Sequence, residues 1–396
     1  MPITSGYFAQ PKNSMSDTLI YLDYAAATPV SEAVLQAMQP FMSTNFYNPS
    51  ATYSAARETQ NALEAARTTA AHWLGARSSE IIFTAGGTEA NNLAIHGIMR
   101  RFPDANAVVS SIEHESVLAP AHRYECREAA VDKNGRLDLD DLSNKIDDKT
   151  VLVSIMYANN EVGTIQPVKD AGQLIANIRR QRQKSGNTLP IYLHTDACQA
   201  ANYLDLHVAR LGVDLLTING GKVYGPKQSG ALYVKGGVEL MPLIDGGGQE
   251  RNIRSGTQNV AGAVGFAAAL DAAQQIKNDE SNRLSKLQQH FRMLIAQQLP
   301  TASINGSNKH CLPNNLHVTI PGYDNERLLI QLDEAGILAA AGSACSASNE
   351  EPSHVLTAMG LGDEDAQASL RFTMGRATTI QEIERVVMAL SQLIKH

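Results

Sequence analysis

The chain has 396 residues, 43% of them hydrophobic and 18% charged, a balance that argues against extended disorder and leaves room for two or three domains with large cores. Its formal net charge is −7 with no basic block, which disfavours nucleic acid or an anionic membrane surface as a main partner. No apolar run reaches the length that spans a membrane, and Cys126, Cys198, Cys311 and Cys345 are too scattered for a disulfide framework or a metal site, so reduced thiols in a cytoplasmic protein are expected.

In chain order, residues 1–17 are polar, lack an apolar signal core and read as a mobile tail. Residues 18–30 form an N-terminal segment expected to pack with a small second domain. From 31 to 270, short apolar runs alternate with helical patterns. Strands are predicted at Ile81–Ala85, Ala107–Ser111, Val151–Ala158, Ile191–Asp196, Val213–Asn219 and Gly230–Val234. Helices are predicted at Ala90–Arg101, Ser116–Tyr124 and Val168–Arg182. This βαβ alternation predicts an α/β fold: a large domain with a mainly parallel sheet covered by helices on both faces. Past Gly256 the pattern changes to helices at Val260–Lys277 and Ser281–Gln298, followed by strands at Asn315–Ile320, Ile337–Ala341 and Ser369–Met374. The last helix opens on a capping box, Thr379-Ile380-Gln381-Glu382. Residues 271–396 therefore read as a smaller α+β domain.

Asp196 and Lys222 stand at the ends of two apolar runs, where strands stop and α/β sheets bind ligands. A carboxylate and an amine converging there suit pyridoxal 5'-phosphate. The amine bonds the cofactor's aldehyde, and the carboxylate keeps the pyridine nitrogen protonated so that the ring accepts electrons. Taken alone, the two residues read more readily as a surface ion pair or as unrelated charges. The turn Phe83–Asn92, carrying Gly86, Gly87 and Thr88 between a strand and a helix, fits a phosphate cup and equally a plain tight turn. His114 follows a strand as either a structural histidine or a ring that stacks on a flat cofactor. Asn160 ends another strand, as a turn residue or as an amide at the same sheet edge. Gln199 follows Asp196 closely enough to reach a ring hydroxyl.

In joint order and spacing, from Tyr21-Leu22-Asp23-Tyr24-Ala25-Ala26-Ala27-Thr28-Pro29 to Arg371–Arg376, these motifs resemble the cysteine desulfurases of the class V aminotransferase superfamily. The resemblance implies the fold type I architecture of pyridoxal phosphate enzymes, with a mainly parallel seven-stranded sheet flanked by helices and a smaller α+β domain. It implies conversion of L-cysteine to L-alanine, with Lys222 holding the cofactor and moving the Cα proton. Asp196 would pair with the pyridine nitrogen, Gln199 and Asn160 would contact the ring side, and His114 would stack on its face and assist a proton transfer. Gly87 and Thr88 would hold the phosphate, and Thr257, in Arg254-Ser255-Gly256-Thr257, would reach the phosphate of a partner subunit, which implies a homodimer. Arg371 would bind the substrate carboxylate, with Asn160 beside it; a salt bridge is its plain alternative.

The segment Ala341-Gly342-Ser343-Ala344-Cys345-Ser346-Ala347-Ser348 resembles the mobile loop that carries the nucleophilic cysteine in that family, and the length from Cys345 to Ser369-Leu370-Arg371-Phe372 resembles that of the group I enzymes. Cys345 would hold the persulfide for a sulfur acceptor: an iron–sulfur scaffold, a tRNA-thiolation protein or a carrier.

The chain departs from the pattern just before the lysine, where a serine and a histidine are replaced by Asn219 and Gly221. The Asn219 amide retains a donor for the phosphate, whereas Gly221 offers only backbone, so the expectation is that the N–H of Gly220 or Gly221 partly substitutes and that the cofactor is held less tightly. Tyr53 replaces another frequent histidine and receives no role. The chain ends soon after its last helix, without the extension used to dock an iron–sulfur scaffold, which puts that partner in doubt. The competing readings are a selenocysteine lyase, another class V enzyme such as an aminotransferase, or a weakly catalytic partner in sulfur transfer.

Overall fold

The computed structural model describes residues 19–342 and 352–394; the tail 1–17 and the Cys345 segment lie outside the described residues. The first strand, β1 (Ile20–Tyr21), is short and belongs to a separate pair described below. The main sheet contains β2 (Ile81–Thr84), β3 (Asn106–Ser110), β4 (Cys126–Ala129), β5 (Thr150–Ser154), β6 (Tyr192–Asp196), β7 (Leu215–Asn219) and β8 (Gly230–Val234). These seven strands run in the order β2-β8-β7-β6-β5-β3-β4. Only β8 opposes its neighbours, pairing antiparallel with both β2 and β7, so the carboxyl ends of the other strands share one edge.

Alternation along the strands explains the layers. Val108, Val153, Leu193 and Leu216 face one side, against Ala70, Leu74, Phe266 and Leu270. Ala107, Val109, Leu152 and Leu215 face the other, against Leu93, Ile98 and Val117. With both faces covered, the strands read as continuous apolar runs rather than half-polar ones.

A second core lies around a three-stranded antiparallel sheet of order β12-β10-β9, built from β9 (Ser303–Asn305), β10 (Asn315–Thr319) and, after the short β11 (Ile337–Leu338), β12 (Ser369–Thr373). Leu316, Val318, Leu370 and Phe372 pack there on Phe291, Val387 and Leu390, joined by Ile20 and Leu22. The strand β1 pairs in parallel with β11, and Asp23 bridges to Thr373, so the N-terminal segment is stitched to the last third of the chain.

One helix, Val260–Gln298, is 39 residues long and reaches both cores. The sequence predicts a break near residues 278–280, but Asn278, Asp279 and Glu280 include neither Gly nor Pro; the first two are exposed and Glu280 is paired with Arg283 one turn on, so the helix continues. Its first half approaches closely enough that a Cβ on Gly265 would lie 2.5 Å from Met38 Sδ. Its second half buries Leu284, Leu287, Phe291 and Ile295.

His194 crosses the centre of the main sheet, its Nδ1 2.8 Å from Ser154 Oγ and its Nε2 3.1 Å from Thr217 Oγ1. Burial pushes its pKa down to about 4, against a weaker upward pull from Asp196, and burial likewise pushes His317 down to about 3. Both stay neutral in the folded chain while the unfolded chain takes up protons near the ordinary histidine value. Their contribution to stability is therefore complete above pH ~6.5 and is lost as the pH falls toward ~4, each pH unit in that window costing about 1.4 kcal/mol per group. Chemical-denaturation midpoints measured from pH 7 to 4 are expected to drop, and the drop is expected to be shallower in His194→Gln.

Candidate active site

The shared strand edge assembles the site from five connections. The turn after β2 supplies Ala85, Gly86, Gly87 and Thr88 and passes straight into the helix Gly87–Met99. His114 follows β3, Asn160 follows β5, Asp196 ends β6, and Asn219 ends β7 with Lys222 just beyond. A cavity of about 210 Å3 is lined by His114, Asn160, Asp196, Gln199, Lys222 and Arg371 among others. A more open cup of about 550 Å3 adjoins it, lined by Gly86, Gly221 and Lys227, and the two share Gly87, Thr88, Asn219 and Lys222.

Asp196 is buried and fixed from two sides: its Oδ2 accepts from Asn91 Nδ2 at 2.6 Å and its Oδ1 from the backbone N–H of Cys198 at 2.8 Å. Asn91 Nδ2 also donates to Ser116 Oγ at 2.9 Å. The Ser116 hydroxyl lies 2.8 Å from His114 Nδ1, which accepts the Ser116 backbone N–H at 3.0 Å. A nitrogen that accepts carries no proton, so the neutral His114 ring keeps its proton on Nε2, and the relay from Asp196 to His114 fixes the ring's orientation. Lys222 Nζ donates to the carbonyls of Ala25 at 2.7 Å and Ala26 at 2.6 Å. Burial lowers its pKa below the ordinary lysine value, opposed in part by the carboxylates of Asp23 and Asp196. Gln199 Nε2 donates to the same Ala25 carbonyl at 3.0 Å.

Arg371 is almost fully buried; its Nη2 meets Asp23 Oδ1 at 2.6 Å and its Nη1 donates to the Asn160 carbonyl at 3.1 Å. Its Nε finds no acceptor among the described residues. The salt-bridge reading and a place in the cavity wall therefore hold together: one edge of the guanidinium is anchored while a buried donor remains unspent. Thr257 does not line the cup of its own chain. It borders a neighbouring cavity of about 200 Å3 with Arg254 and Gln258, which shares Ala85 and Gln228 with the cup.

The expected backbone substitute for the missing imidazole is overturned. The Gly220 N–H donates to the Ser229 carbonyl at 2.9 Å, and the Gly221 N–H donates to Asn219 Oδ1 at 3.0 Å. Neither is left for a phosphate. Asn219, by contrast, lines both cavities, and with its Oδ1 taken by the Gly221 N–H its amide group is the part left to donate.

The chemistry of the donor set fits pyridoxal phosphate. A buried carboxylate for the ring nitrogen, a buried amine for the aldehyde, and a helix N-terminus for the phosphate line connected cavities. The cradle needs its glycines: a Cβ on Gly87 would lie 2.8 Å from Cys198 Sγ, and Gly86 has φ +126. The sequence reading missed Asn91, Ser116 and the Ala25–Ala26 carbonyls. The available signal for Asn91 was a lone amide on a helix face otherwise filled by Ala90, Ala94, Ile95 and Ile98.

Comparison with known proteins agrees with this geometry. The family described as aminotransferase class-V matches residues 20–386. A cysteine desulfurase IscS from Dictyoglomus turgidum is 40% identical over 383 residues, covering 95% of this chain and 94% of that protein. The X-ray structure of a NifS-like protein from Rickettsia africae ESF-5 is 31% identical and superposes with a TM-score of 0.84 over 96% of this chain and 100% of that one. The structure of SspA in complex with cysteine is 35% identical, with a TM-score of 0.76 over 90% and 98% of the two chains. With a family match over nearly its whole length and this level of identity, the chain belongs to the aminotransferase class-V family, within its cysteine desulfurase branch.

Proposed function

We propose that the protein converts L-cysteine to L-alanine and retains the sulfur as a persulfide on Cys345. The observation that carries this reading is the convergence of Asp196, Lys222, His114 and Arg371 on one cavity at the sheet edge. When bound, pyridoxal phosphate supplies an electron sink for bonds broken at the substrate carbons.

The chain's own residues supply the rest. Lys222 would hold the cofactor and, as a free amine, take the proton from the substrate Cα; burial lowers its pKa and so favours the unprotonated form that a base requires. Asp196, held by Asn91 and the Cys198 N–H, presents a fixed negative charge to the pyridine nitrogen. Gly87, Thr88 and Asn219 would hold the phosphate, Gln199 and Asn160 would contact the ring side, and His114 would stack on the ring and assist a proton transfer through its Nε2. Arg371 receives the substrate carboxylate. The Cys345 thiolate attacks the substrate sulfur: an S–S bond forms, the C–S bond breaks, and the carbon gains a proton, so that cysteine and one thiol become alanine and one persulfide. Burial raises the pKa of the described thiols Cys126, Cys198 and Cys311, which makes each a poor source of thiolate and favours Cys345.

A homodimer completes the site in this reading. Thr257 does not line its own cup, and the exposed Met42, Phe46 and Tyr53 give a partner apolar surface to cover. The division into a large unit at 31–270 and a small unit at 271–396, with residues 18–30 serving the latter, is supported by the two separate cores. No helix among the described residues is long and apolar enough to cross a membrane, and a cytoplasmic setting with a sulfur-accepting protein partner suits the free thiols.

The test is to supply L-cysteine to the purified, cofactor-loaded protein and to quantify alanine together with persulfide on Cys345. A first turnover yielding one of each per site is expected; alanine without persulfide, or neither, defeats the proposal. Arg371→Lys removes the planar fork but keeps the charge, so KM for L-cysteine is expected to rise by about tenfold or more with a smaller change in kcat. An unchanged KM removes Arg371 from substrate binding.

A further inference from the structure

The phosphate cup lacks a counter-charge if only the residues assigned above are considered. A phosphate ester brings up to about two negative charges. Gly221 has no side chain to offer, and the N–H groups of Gly220 and Gly221 are spent within the chain. Two cations line the cup, Lys222 and Lys227. Lys222 is committed to the cofactor's aldehyde and points to the Ala25 and Ala26 carbonyls. The acidic lining residue Glu89 is already engaged, by Arg254 Nε at 2.9 Å and by the Ala85 N–H at 2.8 Å. Lys227 therefore remains.

Its position matches the gap. A Cβ built on Gly221 would meet Lys227 Cγ at 3.7 Å, so the lysine stem passes beside the place left open by the missing side chain. The Lys227 ammonium donates to the Thr28 carbonyl, one acceptor for three donors. The next residue, Gln228, also lines the cup and is held at φ +56, a left-handed conformation that non-glycine residues adopt only where the surroundings impose it. The turn that carries Lys227 along the cup wall is thus kept at a conformational cost.

We propose that Lys227 supplies the cationic contact to the cofactor phosphate, in the space that Gly221 leaves open. The inference rests on the pyridoxal phosphate reading given above and specifies which residue balances the phosphate charge in this chain. A lysine ammonium is a point charge on a flexible stem, so the contact is chiefly electrostatic and screened by salt.

The experiment separates phosphate from ring. Full-length apoprotein is titrated with pyridoxal phosphate and, separately, with pyridoxal, which lacks the phosphate, and binding is followed by the absorption of the bound ring. The proteins are the parent, Lys227→Gln, Lys227→Arg, and Lys227→Gln combined with Gly221→His. The last is sterically admissible, since the nearest atom to a Cβ at Gly221 is Asn219 Oδ1 at 3.5 Å. Lys227→Gln is expected to weaken pyridoxal phosphate about tenfold or more and to leave pyridoxal unchanged, with Lys227→Arg near the parent and Gly221→His restoring part of the loss. The difference is expected to shrink as salt is added. Equal affinity for pyridoxal phosphate in parent and Lys227→Gln, or an equal loss for pyridoxal, overturns the assignment while the site reading stands. A parent chain that binds neither ligand overturns the site reading, and this inference with it.

Discussion

Lys222→Ala is expected to abolish the visible absorption of covalently held cofactor and to lower alanine formation from L-cysteine by about 10^4-fold or more, because one side chain is both tether and base. The geometry explains why the neighbouring Lys227 cannot substitute. Lys222 lines both the enclosed cavity and the cup, whereas Lys227 lines only the cup. Added methylamine, which enters as a free base, is expected to recover a small part of the rate but not the tether. Absorbance titration and single-turnover alanine measurements decide the point. A retained covalent band in Lys222→Ala would move the tether to Lys227 and undo the pairing of Asp196 with Lys222 across the strand edge.

Cys345→Ser is expected to take up the cofactor with parent affinity, to bind L-cysteine, and to form no persulfide, with net desulfuration reduced by roughly 10^3-fold. A serine hydroxyl does not take a sulfur atom from a thiol, so the reaction stalls with the C–S bond intact. The informative control is Cys198→Ala. Cys198 lines the cavity itself, but burial pushes its thiol well above the usual range, the Asp196 carboxylate adding to the rise. Persulfide formation is therefore expected to survive the loss of Cys198 and not that of Cys345. Mass spectrometry of the intact chain after one turnover reads both results.

The parts of the fold visible in the sequence are those decided by local pattern. The central strands are buried on both faces, so Val151–Ser154 and Leu215–Asn219 announce themselves as apolar runs. The edge strand β4, Cys-Arg-Glu-Ala, is partly exposed and carries no such signal. The same division holds in the site. Asp196, Lys222, His114 and the Gly86–Gly87 turn occupy strand ends, a position that periodicity locates. Asn91 and the Ala25–Ala26 carbonyls reach the site through contacts with residues more than a hundred positions away, which no window of sequence reports. The Gly221 substitution misled for a related reason. Whether a backbone N–H is available depends on its partner, and Ser229 as the acceptor for Gly220 is visible only once β7 and β8 are paired.

The stitching of the N-terminal segment also sets when the enzyme can be assembled on the ribosome. Ala25 and Ala26, which receive the lysine amine, are held in place by β1 against β11 and by the Ala25 N–H bonded to Thr373 Oγ1. A nascent chain that has emerged only through Lys222 has its tether but not the strands that position the carbonyls facing it. Capture of pyridoxal phosphate by the complete site must then wait for β12 to leave the exit tunnel, which leaves the incomplete chain without that ligand's stabilisation during synthesis.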